Sequence, residues 1–508
     1  MANSAPHSHD DHHDHGHDHS HEHDHDGLEF GDDELEDQSA LIKESFGLPD
    51  ELPPIRLPSD AELAEQVRAI PLVRELVKLA EWAGADGREA DEDGELTGDA
   101  RDEVLQALDV PADRFRFLWK YATAVDWVEL DDDGQARSGE TAESWGDGSD
   151  DEGVLDAWAA TFAAILSESM CAFVGAAPDF PSEADIHGPA MPLAMLLFLS
   201  RPHGLTRGEV SLFISEGAIA EHPGEKRAWE SWVKAHGDPA GVLVDQLAAV
   251  QAITLSDTDG AAANGAEIRL APLALREIRL QLTDADVDIP LLPATAAELT
   301  AEQLLAMAPS VFPEEFESES AAWLAAHGTA TAAGELLDIA AEGDPSTRIT
   351  AMSVVSQLGP TAEQPWRDRI DVVSLRPYAK TALAALAIGV PSVAPGRGGL
   401  MPDLSDLDKI PDDLRPAPED VTWVTIDTLW LSCEDEDTDP EHLGAMFDET
   451  VPADRRAMIF DQMWRSPHPE AERVLDHLGS FHPDKRISKE ARRAAFKATT
   501  SHGTKKKD

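Results

Sequence analysis

Cysteine is almost absent. Cys171 and Cys433 stand far apart in 508 residues, which argues against a disulfide framework and fits a reducing compartment. Positive charge is scarce: 40 Lys and Arg face 99 Asp and Glu, a formal net charge of -59. That excess repels nucleic acid and anionic membrane over most of the surface. No apolar run reaches the roughly 18 residues needed to span a bilayer. The longest, Met191 to Leu199, is about half that length. The N-terminus has no basic region followed by an apolar core, so a secretory signal is not expected. A cytoplasmic location is the expectation. Catalytic signatures are missing as well. There is no glycine-rich phosphate loop, no nucleophile elbow, no paired His on a helix and no Cys-x-x-Cys. Cys171, in SESMCAFVGAA, reads as a small core residue rather than a nucleophile. A non-enzymatic protein is expected.

What is present is apolar content of 42%, enough for roughly two to four packed domains. Residues 1–47 read as a disordered, His/Asp-rich and acidic tail that cannot bury enough surface to fold. It carries His7, His9, His12, His13, His15, His17, His19, His21, His23 and His25, set mainly among Asp, Ser, Gly and Glu. Neutral imidazole suits Zn, Ni, Co and Cu, and neighbouring carboxylates can complete or orient a site. The expectation is weak, multisite, exchangeable binding of these metals, with no obligatory cofactor. A solubilising tail is the bland alternative.

Ser59 stands three residues before Glu62, a capping-box signature that starts a helix. Apolar residues then recur at helical spacing through Leu72, Leu76 and Leu79, through Val104 and Leu108, and through Phe115, Leu118 and Ala122. Trp127, Val128 and Leu130 read as extended, and Asp133-Gly134 as a turn into a return strand. Residues 59–137 therefore predict a helical unit closed by a β-ribbon. This order resembles the winged-helix variant of helix-turn-helix domains, whose third helix enters the DNA major groove. Here that helix would carry Arg114, Arg116 and Lys120, which do not share one face. The ribbon that would be the wing turns through Asp131, Asp132 and Asp133, which would face phosphates. The resemblance therefore implies a scaffold that packs against protein rather than a DNA reader. Glu129, Asp131, Asp133, Gly134 and Glu140 also match EF-hand spacing, but Glu holds the first place and Ala136 stands where a branched apolar residue would brace the loop.

Residues 138–152 read as a linker by composition. Residues 153–285 predict a second helical unit with a ribbon. Its signs are the capping pair Thr206 and Glu209 and the extended stretches near Ile253 to Leu255 and Ile268 to Leu270. Residues 297–389 predict short helices, and Asp344-Pro345-Ser346 resembles the turn inside a HEAT-like pair. Residues 390–420 are Pro-rich and read as a linker. Residues 421–500 are helical again, with His468 to Lys497 most like a HEAT-type pair, and 501–508 form a basic tail.

The C-terminal end breaks the acidity. Lys485, Arg486, Lys489, Arg492, Arg493 and Lys497 gather there, and Lys489, Arg493 and Lys497 recur every four residues along one helical face. A patch for an acidic partner, RNA or DNA competes with a solvated helix whose charges are met by the chain's own acidic tail, and self-pairing or a protein partner is favoured. Together these readings give a mainly α fold: helical units with two small β-ribbons, winged-helix-like, then HEAT-like pairs, behind a disordered tail. The pattern resembles uncharacterised high-GC bacterial proteins built of such units, which implies a scaffold and assigns no catalytic residue. A protein partner is expected; nucleic acid and membrane are not. Metal buffering through the tail and DNA binding through the winged-helix-like unit are the alternatives.

Overall fold

The computed structural model describes residues 43, 46–85, 88–91, 94–96, 98–108, 110–131, 133–166, 188–220, 222–256, 267–388, 410–434 and 440–505. The His-rich stretch and Cys171 lie outside them. The chain is mainly helical, with two small antiparallel sheets among the described residues.

Ser59 caps α1 (Asp60–Ala69), and the Glu62 carboxylate accepts from the Ser59 backbone N–H at 2.9 Å, so the expected capping box is made. Pro71 opens α2 (Pro71–Ala83) at a position where its missing N–H costs nothing. Then come α3 (Gly98–Leu108) and α4 (Ala112–Ala124). The ribbon follows as β1 (Val128–Leu130) and β2 (Ala136–Ser138), with Val128 opposite Ser138 and Leu130 opposite Ala136.

The stretch 138–152 is not a plain linker. It forms α5 (Glu140–Trp145), with Thr141 buried and donating to the Val125 carbonyl at 3.1 Å. The Trp145 ring lies 5.8 Å from that of Trp127. Next come α6 (Asp151–Ala164), α7 (Ala190–Leu199), β3 (Leu205–Thr206), α8 (Arg207–Ala218), α9 (Lys226–His236) and α10 (Pro239–Ala249). β4 (Ile253–Leu255), β5 (Glu267–Leu270) and α11 (Pro272–Asp284) complete this part. The second sheet has the order β3-β5-β4, so the anticipated ribbon gains the short strand β3 beside the Thr206 cap.

The two expected units share one apolar core, which runs from Leu48 to Ile289. Trp127 ties them by donating to the Thr161 hydroxyl at 2.9 Å. The Pro-rich lead-in belongs to the same body. Ile55 donates to the Pro290 carbonyl at 3.0 Å, and Leu292 donates back to the Ile55 carbonyl at 2.9 Å.

A second core runs from Ala296 to Val424. It gathers α12 (Ala301–Met307), α13 (Pro313–His327), α14 (Thr329–Glu342), α15 (Pro345–Ser356), α16 (Glu363–Asp368) and α17 (Arg376–Ile388). Asp344 caps α15 by accepting from the Thr347 N–H at 2.8 Å. The described end of the expected linker is packed, since Ile410 and Leu414 are buried in this core. α18 (Pro418–Glu434) is divided between two cores. Trp423 and Val424 belong to the second, whereas Ile426, Leu429, Trp430 and Cys433 belong to the third. The third core is completed by α19 (Pro440–Thr450), α20 (Arg456–Met463), α21 (Ala471–Phe481) and α22 (Lys485–Lys505). The block 421–500 is thus joined to its predecessor by a shared helix. No helix among the described residues is long and apolar enough to cross a membrane.

Candidate docking face

α22 buries one face and offers the other. Ile487, Ala491, Ala494, Ala495 and Ala498 are buried, and the helix packs on α20 and α21. Small alanines let the helices approach closely, and the intervening positions are cationic. Lys485, Arg486, Lys489 and Arg493 are exposed and make no ion pair among the described residues. Two members of the expected patch are engaged. Arg492 Nε donates to the Gly479 carbonyl at 2.7 Å, and Lys497 Nζ sits 5.2 Å from the centre of the Trp464 ring. The acidic tail expected to pair with this patch lies outside the described residues, and within them Arg486 feels the charge of Asp484 two residues away. Phe496, on the same helix, is 72% exposed. A shallow groove of about 210 Å³ runs between α20 and α22, lined by Phe460, Asp461, Trp464, Glu490, Arg493 and Lys497. Free cations beside an exposed ring and a shallow groove suit an acidic segment with an apolar side chain.

A buried polar joint positions this face. Asp427, in α18, is fully buried. Arg348 of α15 grips it bidentately, Nε to Oδ2 at 3.0 Å and Nη2 to Oδ1 at 2.8 Å. Tyr378 of α17 donates to Oδ2 at 2.8 Å. His468, just before α21, lies with Nε2 at 2.7 Å from Oδ1. The His468 Nδ1 accepts from the Glu470 N–H at 3.0 Å, which leaves the ring proton on Nε2 to donate to Asp427. Burial alone would raise the Asp427 carboxyl. Hydrogen bonds from His468 and Arg348 outweigh it and hold the group below the usual carboxylate range. Burial pushes the Tyr378 phenol well above its ordinary value, with the Asp427 charge adding to it.

The same helix carries a second buried carboxylate two turns earlier. Asp420 is 1% exposed and meets Arg376 and Lys380, both at 2.8 Å. Burial opposes its ionisation, and the Lys380 and Arg376 hydrogen bonds overcome that and lower its pKa. Neither aspartate was picked out at the sequence level. For Asp427 the available signal is that it is the single acidic residue within the apolar run VTWVTIDTLWLSC, which Asp420 precedes. The His-Pro turn was visible, and its device recurs: His482 Nδ1 accepts from the Asp484 N–H at 3.0 Å, as His468 does from Glu470. Cys433 is buried, and burial pushes its thiol up to about 11, which suits an inert core residue.

Other residues nominated from sequence are dispersed. His7 to His25 lie outside the described residues. On α4, Arg114 is paired with Glu75, and Lys120 stands 3.8 Å from Glu95. Phe115, Leu118 and Trp119 of that helix are buried. In the loop with EF-hand spacing, Glu129 pairs with Arg137 across the ribbon at 2.8 Å. Asp131 Oδ1 closes the turn by accepting from the Gln135 N–H at 2.8 Å. Among the described residues no group of three His, Cys, Asp or Glu is arranged to hold a metal. Comparison with family models, with curated proteins and with solved structures found no match to this chain.

Proposed function

We propose that this chain is a non-enzymatic, cytoplasmic interaction scaffold that docks an acidic polypeptide on the outward face of α22. The observation that carries the reading is the exposed set Lys485, Lys489 and Arg493, without an ion pair among the described residues, beside the exposed Phe496 in a chain of net charge -59. Among the described residues these cations make no ion pair although carboxylates are abundant elsewhere on the chain, and an acidic partner would supply one. On this reading the winged-helix-like and HEAT-like units are the frame that presents the face. DNA reading through α4 is not favoured, because Arg114 and Lys120 already face Glu75 and Glu95.

Replacing Lys489 and Arg493 together by Glu should weaken capture of the partner about tenfold or more and flatten its salt dependence. Both residues are exposed, so the melting temperature should stay within about 2 °C of the parent. Quantitative pull-down followed by titration at two ionic strengths reads both effects. Undiminished binding by the doubly reversed protein would sink the proposal.

A second reading concerns the tail, on the strength of its ten closely spaced histidines. Exchangeable binding of Zn, Ni, Co or Cu there should weaken as pH falls and protons compete for the rings. Calorimetric titration of the full chain with zinc at pH 7.5 and 5.5, against a chain lacking residues 1–27, measures it. Equal heats from the two chains would remove the tail from consideration.

A further inference from the structure

A cavity of about 190 Å³ lies on the seam between the first and second cores. Ile55, Leu275, Leu292, Met307 and Val311 give it an apolar floor. Two Arg–Glu pairs cross the seam beside it. Arg56 clamps Glu319, Nε to Oε1 at 3.2 Å and Nη2 to Oε2 at 2.5 Å. Arg201 Nε stands 3.0 Å from Glu315 Oε1, and its guanidinium is 5.0 Å from the rings of both Phe198 and Phe312. Arg201 also donates to the Pro53 carbonyl at 3.1 Å, so its position is fixed from several sides.

The pairs leave groups over. Arg56 Nη1 and Glu315 Oε2 are both buried and have no hydrogen-bond partner. Arg201 Nε faces its glutamate without hydrogen-bond alignment. Buried polar groups are nearly always satisfied. Here donors and an acceptor are left unmet on residues that line one cavity.

We propose that this cavity binds a small zwitterion with a short apolar body, of the class of the aliphatic α-amino acids. Its carboxylate would accept from Arg56 Nη1, its ammonium would donate to Glu315 Oε2, and its side chain would cover the apolar floor. The lining carries two Arg and two Glu, a sum of zero. A net-neutral ligand enters without leaving a buried charge unpaired, whereas a lone anion or cation would not. The volume has room for about six waters, which admits an amino acid and excludes a nucleotide. Arg56 and Leu275 come from one side of the seam, Met307 and Glu315 from the other, so an occupant fastens the two cores together.

The test uses the full chain and leucine as probe. Millimolar leucine should raise the melting temperature by about 2 °C or more, and equilibrium dialysis should find one leucine per chain. 4-Methylpentanoate, which lacks the ammonium, and isoamylamine, which lacks the carboxylate, should each lose at least nine-tenths of the affinity. Glu315→Gln should abolish the response by removing the ammonium's partner. Leu292→Phe narrows the cavity without touching either ion pair and should abolish it too, so the test survives if Glu315→Gln fails to fold. The proposal is overturned if leucine neither binds nor stabilises, meaning that the cavity holds water only. It is equally overturned if either half-charged analogue matches leucine, or if Leu292→Phe binds leucine like the parent.

Discussion

Asp427→Ala is expected to destabilise the second and third cores by about 3–5 kcal/mol. The carboxylate is fully buried and accepts from Arg348, Tyr378 and His468. Removing it strands an arginine that is itself 2% exposed, together with two further donors. The penalty comes mainly from those orphans rather than from the lost attraction. Hence the pair Arg348→Met with Asp427→Leu should recover the arginine's share of the loss, because it removes both charges, while Tyr378 and His468 still lack their acceptor. Urea unfolding followed by tryptophan fluorescence reads this, since Trp423 lies 4.4 Å from the His468 ring. A loss below about 1 kcal/mol would mean that the joint does not hold these cores together. The pH dependence has a defined sign. The folded pKa of Asp427 lies below its ordinary 3.8, so its contribution is complete at neutral pH. It is lost as pH falls through 3.8 toward the folded value, and the alanine variant should lack that part of the acid limb.

Gly139→Ala is expected to cost about 3 kcal/mol or more. A Cβ there would stand 2.2 Å from the Asp126 carbonyl oxygen and 2.8 Å from its carbon, both backbone atoms that cannot rotate away. The backbone at Gly139 has φ -86° and ψ 176°, which any residue adopts, so space and not conformation demands glycine. Gly241, inside α10, is the control. Nothing lies within 4 Å of its Cβ position, and Gly241→Ala should stabilise by about 0.5–1 kcal/mol. Thermal melts of the two variants should move in opposite directions. Equal melting temperatures would discount the close crossing at Gly139.

The contrast shows which features could be read before folding. Ser59 with Glu62 and Thr206 with Glu209 are local devices, complete within four residues, and both caps are made as expected. The four-residue spacing of Lys489, Arg493 and Lys497 is likewise local, and the buried alanines opposite them complete the amphipathic pattern. The stretch 138–152 reads as a linker because it is rich in Gly, Ser and Asp. It is ordered instead by contacts at a distance, Thr141 on Val125 and Trp145 on Trp127. A six-residue helix has little stability of its own, so composition could not reveal it. Arg56 and Glu319 are 263 residues apart, and no periodicity joins them. The division of α18 between two cores is equally silent, since a helix apolar nearly all round does not say which neighbour each side meets.

The joint around Asp427 also imposes an order of events on a chain that emerges from the ribosome N-terminus first. Arg348 is made 79 residues ahead of the carboxylate that neutralises it, and His468 follows that carboxylate by 41. Until α18 has left the exit tunnel, the second core contains a cation with nowhere dry to go. α12 to α17 must therefore wait, partly open, for a helix that the third core also claims. The apolar residues of the first core end at Ile289, and only its seam cations Arg56 and Arg201 await later carboxylates, Glu319 and Glu315. Synthesis should thus close the apolar core of the first body early, and complete its seam and the remaining two cores late.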